Sequence, residues 1–227
     1  MLNVGLTGGI ACGKSTVAKM FVKHGAHLID FDGLAHEVQE PGKPAWKEVV
    51  NHFGEGILQP DKKIDRIKLG NIVFADKKKL NALNNIVHPL VYQSWHARLE
   101  KIGKKEKHAI VLSDVPLLFE GNMQHLFDLT MLVLIAPEEQ IRRLMTRNGV
   151  NKEDAKKRLN SQMPISEKIA LADIVIDNKG SIPETEKKVR QVWQELLHKE
   201  KQKINSVRLT IDGLDKKYKK TENGGKK

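Results

Sequence analysis

Short runs of Val, Ile, Leu and Met interrupt a chain that is otherwise polar or helix-periodic. Five stand out: Leu2-Asn3-Val4-Gly5-Leu6, His27-Leu28-Ile29, Ala109-Ile110-Val111-Leu112, Met131-Leu132-Val133-Leu134-Ile135 and Ile174-Val175-Ile176. They lack strict alternation, which is the pattern of strands covered on both faces by helices. Helical stretches separate them; after the first run, Val17, Met20 and Phe21 recur at helical spacing with Lys19 and Lys23 turned outward. This succession predicts a doubly wound α/β fold with a five-stranded parallel sheet flanked by helices. Two intervals are too long for simple crossovers. Residues 32–106 contain Pro41-Gly42-Lys43-Pro44, a helix-like Trp46–Phe53 and a helical Leu80–Leu99 with an expected break at His88-Pro89. Residues 138–165 are charged and rich in arginine. Both read as helical insertions in one domain of residues 1–198, with core segments at about 1–31, 107–137 and 170–198. Trp46, Trp95 and Trp193 sit among helical apolar residues and read as core.

The first run leads into Gly8-Gly9-Ile10-Ala11-Cys12-Gly13-Lys14-Ser15-Thr16, which fits G-x-x-x-x-G-K-[ST] without a mismatch. Glycines let this backbone curl until successive N–H groups face phosphate oxygens. Lys14 adds a point charge at the β/γ-phosphates, Ser15 offers a hydroxyl to Mg²⁺, and a helix N-terminus adds its dipole. The implied fold is that of P-loop nucleoside triphosphatases, and the implied ligand is a nucleoside triphosphate. In open α/β sheets ligands sit beyond the carboxyl ends of strands, where Asp30, Asp32, Asp114 and Asp177-Asn178 fall. Two features argue against a guanine-nucleotide switch. Asp30-Phe31-Asp32-Gly33 satisfies D-x-x-G only about fifteen residues after the loop, and Asn178-Lys179-Gly180-Ser181 has serine where base recognition needs aspartate.

The 227 residues carry a net charge of +11, with 40% hydrophobic and 30% charged residues. Residues 199–227 hold ten Lys/Arg against four Asp/Glu, so more than half of the excess lies in a basic tail expected to be disordered. That placement argues against specific nucleic-acid binding. The longest apolar run, Met131 to Ala136, is too short to cross a bilayer, no signal peptide is expected, and a lone cysteine suits a reducing cytoplasm. A monomer is expected.

The ordered set of segments resembles the dephospho-coenzyme A kinase family over about Leu2 to Gly180. The resemblance rests on Leu6-Thr7-Gly8-Gly9-Ile10 before the loop, then Ile29-Asp30-Phe31-Asp32 with Ala35-His36-Glu37-Val38. It continues through Asp65-Arg66, Val87-His88-Pro89, Pro116-Leu117-Leu118-Phe119-Glu120, Gln140-Ile141-Arg142-Arg143-Leu144 with Arg147, Arg158 and Gln162, and Ala172-Asp173-Ile174-Val175-Ile176-Asp177-Asn178. Ala11 and Cys12 stand where that family commonly has Gly and Ser. The resemblance implies phosphorylation of the ribose 3′-hydroxyl of dephospho-coenzyme A by ATP with Mg²⁺, an acceptor-binding insertion at 32–106 and a lid at 138–165. A nucleoside monophosphate kinase, or an ATP-gated protein that binds through its basic tail, are the alternatives.

Phosphoryl transfer needs positioning and cations around the migrating group. Arg143 and Arg147 lie four apart, so one helical face can aim both at a phosphate; Arg142 lies about 100° round the helix and is the weaker candidate. Asp32 is the candidate to accept the hydroxyl proton, with Asp30 as the alternative; Asp32 also reads as a helix N-cap. Asp114 is a candidate for the Mg²⁺ shell or a turn residue. Arg66 and His88 are candidates for acceptor binding, with a surface ion pair and a buried structural histidine as the competing readings. Asn178 is placed near the adenine or in a turn, and Arg158 and Gln162 share a helix face that lines the lid or faces solvent. Cys12, inside an anion-binding loop, is expected to have a lowered pKa and to be alkylated unless ATP protects it.

Overall fold

A computed structural model describes the backbone of residues 1–223, with side chains described as far as residue 204. The chain divides into two compact units, one of 1–28 with 105–227 and one of 29–104.

The first unit is built on a parallel sheet. Strands β1 (Leu2–Gly8), β2 (His27–Asp30), β3 (Ile110–Asp114), β4 (Leu129–Leu134) and β5 (Ile174–Asp177) stand in the order β2-β3-β1-β4-β5, the boundary between units falling inside β2. β1 pairs parallel with both β3 and β4, and β4 with β5. All seven residues of β1 are buried, as a central strand with helices on both faces demands. Helix α1 (Lys14–Lys23) follows β1, and α6 (Pro137–Asn148), α7 (Lys152–Asn160), α8 (Ile165–Leu171) and α9 (Ile182–Asn223) follow β4 and β5. Val4 and Leu6, two apart on β1 and so on one face of the sheet, share a core with Val17 and Phe21 of α1, Met131 and Val133 of β4, and Val189 and Leu196 of α9.

The second unit holds α2 (Phe31–Val38), α3 (Pro44–Phe53), α4 (Arg66–Phe74) and most of α5 (Lys77–Lys105). The expected break at His88-Pro89 is absent, because α5 runs through Pro89 as one helix. Proline there removes one helical hydrogen bond. Val87, Val91, Trp95 and Leu99 recur every four residues and are buried, so packing along this face overrides the local preference.

The tail expected from residue 199 does not start there. α9 continues unbroken to Asn223; Glu200 is 3% exposed and meets His108, and Lys203 bonds Asp128. Residues 224–227, which end the basic stretch, lie outside the described residues. No helix among the described residues is long and apolar enough to cross a membrane.

One ion pair is unusually deep. Lys168 on α8 is 1% exposed, and its ammonium lies 2.7 Å from Glu120 Oε1 in a contact that is ionic rather than hydrogen-bonded. Glu120 Oε2 is buried without a hydrogen bond among the described residues. Lys168→Met strands that carboxylate and should lower the unfolding free energy in urea by roughly 3 kcal/mol, with partial recovery when Glu120→Gln is added. A loss under about 1 kcal/mol would show that the pair contributes little to stability.

Candidate active site

The loop between β1 and α1 is held in a shape that leaves no room for a Cβ at Gly9 or Gly13. Gly13 precedes α1 with φ 88°, and a Cβ there would collide with Asn178 Nδ2. Ala11 also takes a positive φ, 58°, a strained conformation for a residue with a side chain. α1 has no side-chain cap and no acid in its first turn. Among the described residues, the N–H groups of Ala11, Gly13 and Ser15 make no hydrogen bond within the protein. An uncapped helix start with unbonded amides attracts an anion. The Ser15 hydroxyl is exposed beside it.

Cations stand around this loop, each with a carboxylate. Lys14 Nζ bonds Asp114 Oδ1 at the end of β3. The Arg143 guanidinium lies 3.4 Å from the place a Gly13 Cβ would take, and its Nε donates to Glu139 Oε1 at 2.9 Å. Arg142 also grips Glu139, through Nε at 2.6 Å and Nη2 at 2.5 Å. Arg142 first and Arg143 second pull the Glu139 carboxyl down to about 2. Arg147, one turn beyond Arg143 on α6, is exposed and donates to Asn148. The structure thus brings Lys14, Arg143 and Asp114 to the loop, with Arg147 on the adjoining surface.

Several expectations are revised. Asn178 is committed to the loop's own backbone: Nδ2 donates to Cys12 O at 2.8 Å, and Oδ1 accepts from Thr185 Oγ1 at 2.8 Å. Its side chain braces the loop. Gln162 lies in the turn after α7 rather than on a helix face with Arg158, and its Oε1 accepts from Ile10 N at 2.9 Å. The N-cap of α2 is Asp30, whose Oδ1 accepts from Asp32 N at 3.0 Å, so Asp32 is not the cap and its carboxylate is exposed. Cys12 is 2% exposed within the core cluster, and burial pushes its thiol above the ordinary value against the opposing Lys14 N–H. The expected reactive thiolate is therefore overturned.

The second unit holds the remaining candidates. Arg66 opens α4 behind its cap Asp65, makes no ion pair among the described residues, and lines a cleft of about 430 Å³ with His36, Gln39 and Lys63. His88 is exposed rather than buried, contacts Tyr92 edge-on, and partial desolvation lowers its pKa. Missed from sequence were Gln140 and Thr185. Both are buried polar residues; Gln140 opens the Gln140-Ile141-Arg142-Arg143-Leu144 segment without its role being legible there, and Thr185 lies in no motif, so their partners reveal both.

The family profile for dephospho-CoA kinase matches residues 2–184. The chain belongs to the dephospho-CoA kinase family. It is 52% identical over 201 residues to a dephospho-CoA kinase of Syntrophus aciditrophicus, covering 88% of this chain and 86% of the relative. It is 44% identical over 191 residues to one from Carboxydothermus hydrogenoformans, covering 84% and 92%. Among solved structures, TT1252 from Thermus thermophilus matches with a TM-score of 0.74 and 33% identity over 86% of this chain and 97% of that one. The dephospho-CoA kinase of Campylobacter jejuni matches at 0.67 and 29%, with the same coverage. These likenesses disfavour the monophosphate-kinase and binding-module readings.

Two outcomes test the dephospho-CoA kinase loop. Gly13→Ala should keep a native circular dichroism spectrum while weakening ATP binding at least about tenfold, since side chains rarely adopt this φ and the Cβ meets Asn178; wild-type affinity would show the loop is not so constrained. Native Cys12 should resist iodoacetamide equally with and without ATP and react only on unfolding, as intact-mass spectra would record. Fast labelling that ATP suppresses would restore the reactive thiolate.

Proposed function

We propose that this chain performs the reaction of its family, transferring the γ-phosphoryl group of ATP to the ribose 3′-hydroxyl of dephospho-CoA to give CoA and ADP. The observation that carries this is the uncapped, left-handed loop with Lys14 and Arg143 beside it, in a chain whose family profile spans residues 2–184. In this reading Gly8, Gly9, Ala11, Cys12, Gly13, Lys14, Ser15 and Thr16 enclose the polyphosphate through backbone and Lys14 contacts. Lys14 and Arg143 exchange their carboxylate partners for phosphate oxygens, and Arg147 joins them from the next helical turn. Such preorganised cations stabilise charge on the transferring group.

Asp32 accepts the 3′-hydroxyl proton as that oxygen bonds to the γ-phosphorus and the bond to the leaving ADP oxygen breaks. Support for Asp32 over Asp30 comes from the capping bond that occupies Asp30. Arg66 and His88 are assigned to the acceptor, Arg66 because its guanidinium, without an ion pair among the described residues, lines a cleft large enough for part of a nucleotide. The Ser15 hydroxyl and the Asp114 carboxylate are hard oxygen donors that fit Mg²⁺, which when bound neutralises the β/γ oxygens. The same reading places a monomeric enzyme in the cytoplasm, with residues 32–106 as the acceptor-binding part, 138–165 as the lid, and no specific nucleic-acid partner.

A coupled ADP-release assay with dephospho-CoA, AMP, CMP, UMP and GMP tests the acceptor. Turnover is expected with dephospho-CoA, and robust turnover only with a monophosphate would overturn the assignment. Asp32→Asn should lower kcat by about 10² to 10⁴ with ATP affinity retained, the range for a lost general base. An unchanged kcat would remove Asp32 from proton transfer.

A further inference from the structure

Ala11 holds a positive φ that its side chain disfavours, and such strain persists only where surrounding contacts over-determine it. The contacts converge on the residue before it. Gln140 Nε2 donates to Ile10 O at 2.7 Å, and Gln162 Oε1 accepts from Ile10 N at 2.9 Å. Both polar groups of Ile10 are therefore held by side-chain amides from the two ends of the 138–165 segment. Gln140 is 2% exposed, and its Nε2 fills the place a Gly9 Cβ would take, so the amide packs directly on the loop backbone. Gln162 is itself anchored. The next residue, Met163, donates its N–H to Glu120 Oε1 at 3.1 Å, the same oxygen that meets buried Lys168.

We propose that Gln140 and Gln162 are positioning residues for the phosphoryl donor: together they hold the two peptide groups that flank Ile10 and thereby impose the Ala11 turn that aims the following amides at the polyphosphate. They act through the loop backbone and need not touch ATP. The clamp also ties the loop to the proposed lid segment, because its two jaws are that segment's ends. The inference rests on ATP being the donor. If wild-type enzyme fails to bind ATP, that underlying reading falls; if ATP binds and the variants below behave as wild type, only the clamp falls.

The two jaws have opposite hydrogen-bonding sense, which separates the clamp from a merely structural role. Position 140 must donate and position 162 must accept. Glu at either place adds the same charge beside Ile10, but at 162 it still offers an acceptor, whereas at 140 it sets a carboxylate against a carbonyl. The test compares Q140E, Q140M, Q162E and Q162M by KM for ATP, kcat at saturating dephospho-CoA, and Tm. Q162M and Q140M are expected to raise KM for ATP roughly tenfold or more with a smaller change in kcat, one hydrogen bond being removed in each. Compared at the same position, Q162E should keep a KM for ATP several-fold below that of Q162M because it retains the acceptor, whereas Q140E should not fall below Q140M because it supplies no donor. A Q162E enzyme no better than Q162M, or a Q162M enzyme with wild-type KM, would overturn the proposal. Should Gln140 variants not fold, Q162M decides alone, since Gln162 is partly exposed and lies in a turn.

Discussion

A backbone that turns its amides inward around an anion cannot pair those amides with itself. The phosphate loop of this protein lives under that constraint, and much of the surrounding structure answers it. Gly13 and Ala11 take left-handed conformations, and the first turn of α1 has no cap. The loop's shape must then be imposed from outside. Asn178 holds the Cys12 carbonyl, with Thr185 fixing its orientation, while Gln140 and Gln162 take the two polar groups of Ile10. These braces occupy neighbouring loop groups, while the amides of Gly13 and Ser15 make no hydrogen bond among the described residues. Preorganisation of this kind is what phosphoryl transfer rewards, because donors already in place need not reorganise as charge develops.

The cations follow the same logic. Lys14 rests on Asp114 and Arg143 on Glu139, so both charges beside the loop are compensated before a polyphosphate arrives. A ligand with more negative charge than one carboxylate can displace either partner. Glu139 meets both Arg142 and Arg143, and their hydrogen bonds hold its carboxyl well below the usual carboxylate range. Buried Cys12 contributes packing instead of charge: its sulfur fills the space beside Gly8 under the loop.

The parts legible from sequence were those whose signal is local. Apolar runs marked all five strands because double-sided burial leaves no alternation, and the loop motif is contiguous. Lys14 and Arg143 were found because motif and helical spacing carry them. The parts that the sequence left open or misplaced turn on which partner a side chain or helix face meets, near or far along the chain. Asn178 read as a base contact or a turn residue, and its side-chain bonds to Cys12 and Thr185, 166 and 7 residues away, carry no sequence signal. Cys12 sits in an anion-binding loop, yet its side chain points into the core, a direction no motif encodes. Pro89 argued for a helix break, but the four-residue recurrence of Val87, Val91, Trp95 and Leu99 was the stronger signal. Asp30 and Asp32 could be separated only by which one caps α2.

The central claim is that affinity for the donor resides in backbone amides and cations arranged for phosphate, not in the base. Calorimetric titration of the purified protein with ATP and with adenosine, both in Mg²⁺, tests it most directly. ATP is expected to bind measurably and adenosine at least about a hundredfold more weakly, a gap of ~2.7 kcal/mol at 25 °C. Adenosine binding as tightly as ATP, or no association of ATP at all, would contradict it.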